Sequence, residues 1–319
     1  MQFLKMKISA PVLAALLLAA PAALPSSVPL APQAAFAAEA GTQGGNAQNA
    51  QAAPEETGWY WLSSNDKYSN YFDPSSIVAT GSVETAHGRV ATEIEAYIKT
   101  SYSYGGAQET IQNYGIQNVI PNPAQFAYSV ALLKVNPQNR TVQYAKEDFY
   151  DPQGKVVWSH ADDKEKEVNS QSFDEQFYTV IVDNVFHEGE TERAKAKDRW
   201  LTLYTSEVDG LTTTAQADTT TLRKKGDNLL FWEWDTLKDA AGNTLEVKFL
   251  KKAVNLPQGT ERVIRAQYWS GQTGWQDLED DLGGAYRMIS SSTPQSQGLT
   301  ALRTYAQTHV KWVNRYSIN

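Results

Sequence analysis

The side chains able to do chemistry in this 319-residue chain are its histidines, carboxylates and aromatic rings, because it contains no cysteine. That absence removes thiolate catalysis, cysteine metal ligands and disulfides together. Each of the four histidines, His87, His160, His187 and His309, stands alone. A helical zinc site needs a second histidine one turn after the first, and His187-Glu188 lacks it. No G-x-S-x-G elbow presents a nucleophilic serine, and no glycine loop has the phosphate-cradling form. Carboxylates crowd at Asp162-Asp163 and at Glu279-Asp280-Asp281. Neither run offers alternate oxygen ligands around a glycine, as a calcium loop requires, so both read as solvated turns. A glycosidase pair can lie far apart along a chain, and spacing here neither supports nor removes one. The reading is a protein that is not an enzyme and uses no metal or cofactor.

The aromatics remain: 16 Tyr, 10 Phe and 9 Trp. Trp232 and Trp234 share one side of a strand by the period of two, and Tyr268 and Trp269 lie in another; cross-strand packing accounts for them. Tyr102, Tyr104 and Tyr114 are different. They sit in a polar, glycine-bearing stretch, Ser101 to Pro123, with little core to enter. Stretches of that length without clear structure often carry function, so these three are the candidate binding residues. The bland reading of the stretch is a floppy hairpin insertion.

The elements that must position these residues come in two copies. From Trp59 the chain reads as a tryptophan-led strand, a polar turn, the step Asp73-Pro-Ser-Ser-Ile77 and a long strand, RVATEIEAYIKT. In that strand Val90, Thr92, Ile94, Ala96 and Ile98 alternate with Arg89, Glu93, Glu95 and Lys99, so one side meets a core and the other water. A weaker copy runs from Trp200 through Asp218-Thr-Thr-Thr-Leu222 to DNLLFWEWDTLK. In the first copy QFAYSVALLKV, RTVQYAKEDFY and KVVWSH follow, joined by Asn136-Pro-Gln-Asn139 and Asp151-Pro-Gln-Gly154, which is turn chemistry. These make an antiparallel meander. In the second, LEVKFLKKAV, Pro257-Gln-Gly259 and ERVIRAQYWS repeat the order. Each copy closes with a helical period: Ser172-Phe-Asp-Glu175 has capping-box spacing before Phe173, Phe177, Val180, Ile181 and Val185. Thr293-Pro294 caps the other, before Leu299, Leu302, Ala306, Val310 and Val313. The fold class is therefore α+β, two tandem modules, each an antiparallel β-sheet with a C-terminal α-helix packed on it. Their bounds are 58–187 and 200–319, with a charged link at 188–199.

The tryptophan-led strand, the tyrosine before Asp73-Pro-Ser-Ser-Ile77, the long strand ending in lysine, FYDPQGKVVWS and the closing helix together resemble the surface-adhesin protein E family of exported bacterial domains. The resemblance covers most of 59–187 and is fainter in the second copy. It implies the same sheet-plus-helix fold and a role in binding proteins at the cell surface. Domains of that family commonly tie the helix to the sheet with a disulfide. This chain has none to offer, so its helix is expected to dock by apolar contact.

Residues 1–37 read as an export signal, with Lys5 and Lys7, an apolar run broken by Pro11 and Pro21, and Ala35-Phe36-Ala37 as the cleavage site. Residues 38–57, rich in Ala, Gln, Gly and Asn, read as a disordered tether. Removing the signal takes the formal charge from −8 to −10, which argues against a nucleic-acid partner, and leaves no integral membrane segment. The expected place is outside the cytoplasmic membrane: extracellular, on the cell surface or in the periplasm and envelope. The expected function is a secreted binding protein recognising protein ligands, host matrix or envelope components. The alternatives are an envelope structural or assembly factor that bridges its own kind through open sheet edges, and a cell-wall or glycan hydrolase.

Overall fold

The computed structural model describes residues 58–187, 199–278 and 284–318. The signal, the tether, nearly all of the link and Glu279-Asp280-Asp281 lie outside the described residues.

The first sheet contains β1 (Tyr60–Ser64), β2 (Tyr68–Phe72), β3 (Val78–Thr85), β4 (Gly88–Tyr102), β5 (Tyr128–Asn136), β6 (Thr141–Tyr150), β7 (Val156–His160) and β8 (Lys166–Glu167). Its order is β1-β2-β4-β5-β6-β7, with β3 on β4 and β8 on β6, all antiparallel. Helix α1 (Tyr104–Tyr114) is inserted between β4 and β5, and α2 (Glu175–Phe186) follows β8. The second sheet contains β9 (Trp200–Val208), β10 (Leu211–Asp218), β11 (Arg223–Lys225), β12 (Asn228–Lys238), β13 (Thr244–Asn255), β14 (Thr260–Ser270), β15 (Gly274–Leu278) and β16 (Arg287–Met288). Its order is β9-β10-β12-β13-β14-β15, with β11 on β12 and β16 on β14, so every strand of the first sheet has a counterpart. Two helices end the chain, α3 (Gln295–Thr308) and α4 (Val310–Asn314).

The repeat extends to single hydrogen bonds. Asp73 Oδ1 accepts from the amide and hydroxyl of Ser75, and Ser76 Oγ donates to the Asp73 carbonyl while accepting from Tyr97 N. In the second module Asp218, Thr220, Thr221 and Trp232 make the same four bonds. The turns after β5 and β13 also match. Asn136 and Asn255 each accept from the amide three residues on, and the left-handed position falls on Arg140 (φ 56°) in one copy and Gly259 (φ 66°) in the other.

In β4 the alternation holds from Ile94 to Thr100, but a bulge at Thr92 turns Ala91 into the core in place of Val90 and Thr92. Ile94, Ala96, Ile98, Ala131, Leu133 and Val135 meet Phe177, Tyr178, Ile181 and Val182 of α2. Each large side chain so buried contributes about 1.5–3 kcal/mol. The docking of α2 is not apolar alone: Tyr178 Oη donates to the Pro137 carbonyl at 3.2 Å, and Tyr144 Oη to Asp174 Oδ1 at 2.5 Å. The expected capping box does not form, because Ser172 Oγ accepts from Asn169 N and the Glu175 carboxylate is drawn to Arg140 and Arg199. The final stripe is also broken: α3 stops before His309, and Val310 is exposed while Tyr305 and Trp312 are buried.

The modules pack on each other through buried polar groups. Arg140 spans the seam, donating to the Val168 and Thr220 carbonyls and to Glu175, with its guanidinium 4.7 Å from the Tyr178 ring. Arg223 reaches back to the Gln138 and Asn139 carbonyls, and Arg199 ties Glu175 to Asp218. Glu167 of the first module accepts from Trp232 Nε1 and pairs with Lys251 at 2.8 Å. Within the second module Arg315 donates to the same Thr220 carbonyl, and across the seam Phe186 meets Tyr316 edge-on. Arg140, Arg223 and Arg315 are each buried, at 4, 7 and 9 % exposure, and most of their donors go to backbone carbonyls.

Candidate binding surface

Helices cover one side of the first sheet, and no described helix lies on the other. Residues Trp61, Tyr71, Lys99, Val130, Asp148 and Ser159 stand side by side across its six ordered strands on that side. Tyr97 lies next along β4, and Tyr128 and Tyr150 stack at 4.8 Å in the adjoining row. Lys99 organises the patch. Its ammonium stands 4.6 Å from the centroid of Tyr128, 5.9 Å from Trp59 and 6.0 Å from Tyr71. A cation over aromatic faces is attracted by the ring quadrupoles while its stem covers apolar surface. Trp61 is 62 % exposed and Tyr97 42 %. Rigid amphipathic rings of this kind give large contact area at low entropic cost, which is why they anchor protein interfaces.

The corresponding side of the second sheet carries Trp200, Trp234 and Trp275, with Trp234 6.2 Å and 5.7 Å from the other two. Trp269 faces Trp275 across β14 and β15. Trp232, on the same side as Trp234 as its spacing implied, is fully buried against Phe249 and the first module's Glu167. Its neighbourhood is therefore module packing rather than open surface.

The stretch Ser101 to Pro123 is not a floppy hairpin insertion. Ser103 caps α1 by accepting from Gly106 N, and Gly115 at φ 67° ends it. The helix buries Ala107 and Ile111, which join Ile116, Ile120, Phe126 and Phe149 in a cluster of their own. Tyr104, at its first position, is 63 % exposed. Tyr102 is packed between Phe126 and Phe149 with its hydroxyl 2.8 Å from Ser129 Oγ. Tyr114 lies against Phe149, Trp158 and His160 and donates to Glu147 Oε2 at 3.0 Å. The three tyrosines thus do not converge on one surface.

Glu147 is the acid a sequence could not single out. Burial raises its carboxyl to about 7, against the opposing hydrogen bonds from Ser129 and Tyr114. Burial likewise raises Asp174, which Tyr144 holds by its hydroxyl. A carboxyl near 7 has a general acid's pKa. Glu147, however, is 5 % exposed and occupied by a tyrosine and a serine, which is the environment of a structural acid. Of the histidines, His160 stacks on Trp158, His309 on Tyr305, His187 ends α2 in the left-handed region, and His87 is exposed in the β3–β4 turn. Among the described residues no three histidines or carboxylates are grouped to hold a metal ion, and no helix is long and apolar enough to cross a membrane.

Lys99 was legible only as the water side of its strand. The signal for more was the tyrosine and tryptophan content of outward positions, Trp61, Tyr71, Tyr97 and Tyr128, where a merely solvated side would carry charge. Compared with known proteins, the chain matches no protein-family model, and no curated protein is significantly similar to it.

Proposed function

We propose that this is an exported binding protein of the cell surface or envelope, without catalysis of its own, that engages protein ligands through the open side of its first sheet. One observation carries the reading: the Trp59, Tyr71 and Tyr128 rings around Lys99, with the exposed Trp61 and Tyr97 on the same side of the sheet, a side that no described helix covers. Soluble proteins rarely leave a contiguous aromatic patch in water without a use for it. The buried seam between modules supports the reading, since a body already rigid spends less ordering entropy on association. The signal-like N-terminus, the tether-like segment after it and the resemblance to surface-adhesin protein E domains point the same way.

The test is a pull-down with the purified protein against host-matrix proteins and, in parallel, the producing cell's envelope extract. Each is repeated with Trp61→Ala/Tyr97→Ala. Capture that the double variant loses supports the proposal. Capture unaffected by it, or turnover of cell-wall material by the native protein, refutes it.

A further inference from the structure

A pocket of about 280 Å³ opens on the helix side of the second sheet, lined by Tyr204, Thr213, Asp235, Leu237, Glu246 and Lys248. The repeat explains why it is there. Asp235 and Leu237 lie three and five residues after Trp232, as Thr100 and Tyr102 lie after Tyr97, and Thr213 faces Leu237 as Tyr68 faces Tyr102. In the first module those positions are roofed by α1: Gly106 presses against the Lys67 carbonyl, Lys67 pairs with Glu109 at 2.6 Å, and Tyr102 meets Phe126 at 4.9 Å. The second module replaces that whole insertion with a tight turn, in which Asp239 accepts from the amides of Ala241 and Asn243. The roof is missing, and a small residue, Thr213, stands where Tyr68 would fill the space.

What the opening bares is chemically specific. Asp235 replaces the buried threonine; its carboxyl hydrogen-bonds with Glu233, while its Oδ1, itself buried, has no hydrogen-bond partner among the described residues. A buried carboxylate oxygen without a donor is costly and calls for one. We propose that this pocket binds a small organic cation, a primary amine or ammonium compound, with Asp235 as its acceptor. The lining favours that class over an anion or a neutral polyol. Asp235 and Glu246 face one lysine, Lys248, which is exposed, and Glu233 stands behind Asp235 with its own charge already matched by Lys252 at 2.6 Å. Burial first, and then the charge and hydrogen bond of Glu233, push the Asp235 carboxyl well above the usual carboxylate range, with Lys252 and Lys248 pulling back. These influences favour a proton on Asp235 beside Glu233, and an incoming ammonium takes that proton's place. Tyr204, whose hydroxyl is 3.4 Å from Gln295 of α3, closes the side under the helix.

The experiment is calorimetric titration of the purified protein with 1,4-diaminobutane, with 1,4-butanediol and butanoate as controls. Binding is expected at pH 8.5 and to be at least tenfold weaker at pH 6, where the proton competes. Asp235→Asn, which keeps shape and removes charge, is expected to lose at least tenfold. Thr213→Tyr, which supplies the ring that Tyr68 supplies in the first module, is expected to abolish binding without touching the carboxylate. Circular dichroism checks that each variant is folded, and either one alone decides the matter. No binding of the diamine at pH 8.5, equal binding of the diol, or undiminished binding by a folded variant overturns the proposal.

Discussion

Glu233 and Lys252 meet at 2.6 Å inside the second sheet, diagonal across β12 and β13, at the positions where the first sheet holds Ile98 and Leu133. Both are almost fully enclosed, at 1 and 6 % exposure. Burial works against the lysine's charge, but Glu233, Glu261 and Asp235 outweigh it and its pKa is raised. Two copies of one architecture have thus diverged at the same diagonal, one toward an apolar core and the other toward a buried ion pair.

That pair makes a first prediction. Glu233→Gln removes the nearest carboxylate of the buried Lys252, leaving Glu261 at 3.5 Å and the charge of Asp235, and should cost about 3–5 kcal/mol. Glu233→Ile/Lys252→Leu installs the first module's pair and should recover most of that loss. Urea unfolding of the two variants measures both. A double variant no more stable than the single one would contradict the equivalence of the two diagonals.

The seam makes a second. Arg140→Gly gives the first turn the residue that Gly259 supplies in the second, so the left-handed backbone is relaxed while the guanidinium is lost. The Val168 and Thr220 carbonyls and Glu175 each lose a donor. A net loss of about 2–4 kcal/mol is expected, because hydrogen bonds to charged groups contribute more than neutral ones. Scanning calorimetry should show one unfolding transition in the native protein and two in the variant.

Glu147 makes a third, with a definite sign. Its folded pKa, about 7, lies above its ordinary 4.5, so between those values the folded state holds more protons than the unfolded one. Stability therefore falls as pH rises from 4.5 to 7 and levels beyond, by about 3 kcal/mol from this group. Glu147→Gln, which keeps an acceptor for Tyr114, should remove this group's share of the slope, leaving that of Asp174 and Asp235. Denaturant midpoints at pH 4.5 and 7.5 read it directly.

Helix α1 makes a fourth. A Cβ on Gly106 would lie 2.2 Å from the Lys67 carbonyl oxygen, whereas one on Gly105 would meet nothing closer than Ser103 Oγ at 3.9 Å. Gly106→Ala should destabilise by at least about 1–3 kcal/mol through overpacking. Gly105→Ala should be neutral or stabilising by up to about 1 kcal/mol through helix propensity. Thermal unfolding of the pair separates close packing from propensity.

Period-two alternation and turn residues made the strands legible, and the parallel order of Trp59–Lys99 and Trp200–Lys238 revealed the repeat. The helix of Tyr104–Tyr114 was hidden because its two glycines and polar face gave little apolar period; tertiary contact with Phe126 and Phe149 makes it a helix. The Ser172–Glu175 cap misled for a related reason, since Glu175 is worth more to two arginines across the seam than to its own helix end. Lys99 and Asp235 both sit in strands that sequence places well. Their importance depends on what covers them, an aromatic ring cluster in one case and a missing helix in the other, and coverage is a property of the assembled fold.

The most direct test of the binding account is to measure the affinity of the purified protein for the ligand it captures, comparing Trp61→Ala/Tyr97→Ala with Tyr104→Ala. The first variant alters the open side of the sheet and the second the exposed tyrosine of α1. The account predicts at least a tenfold loss in the first and no change in the second. Loss confined to Tyr104→Ala would contradict it and move the binding surface to the helix.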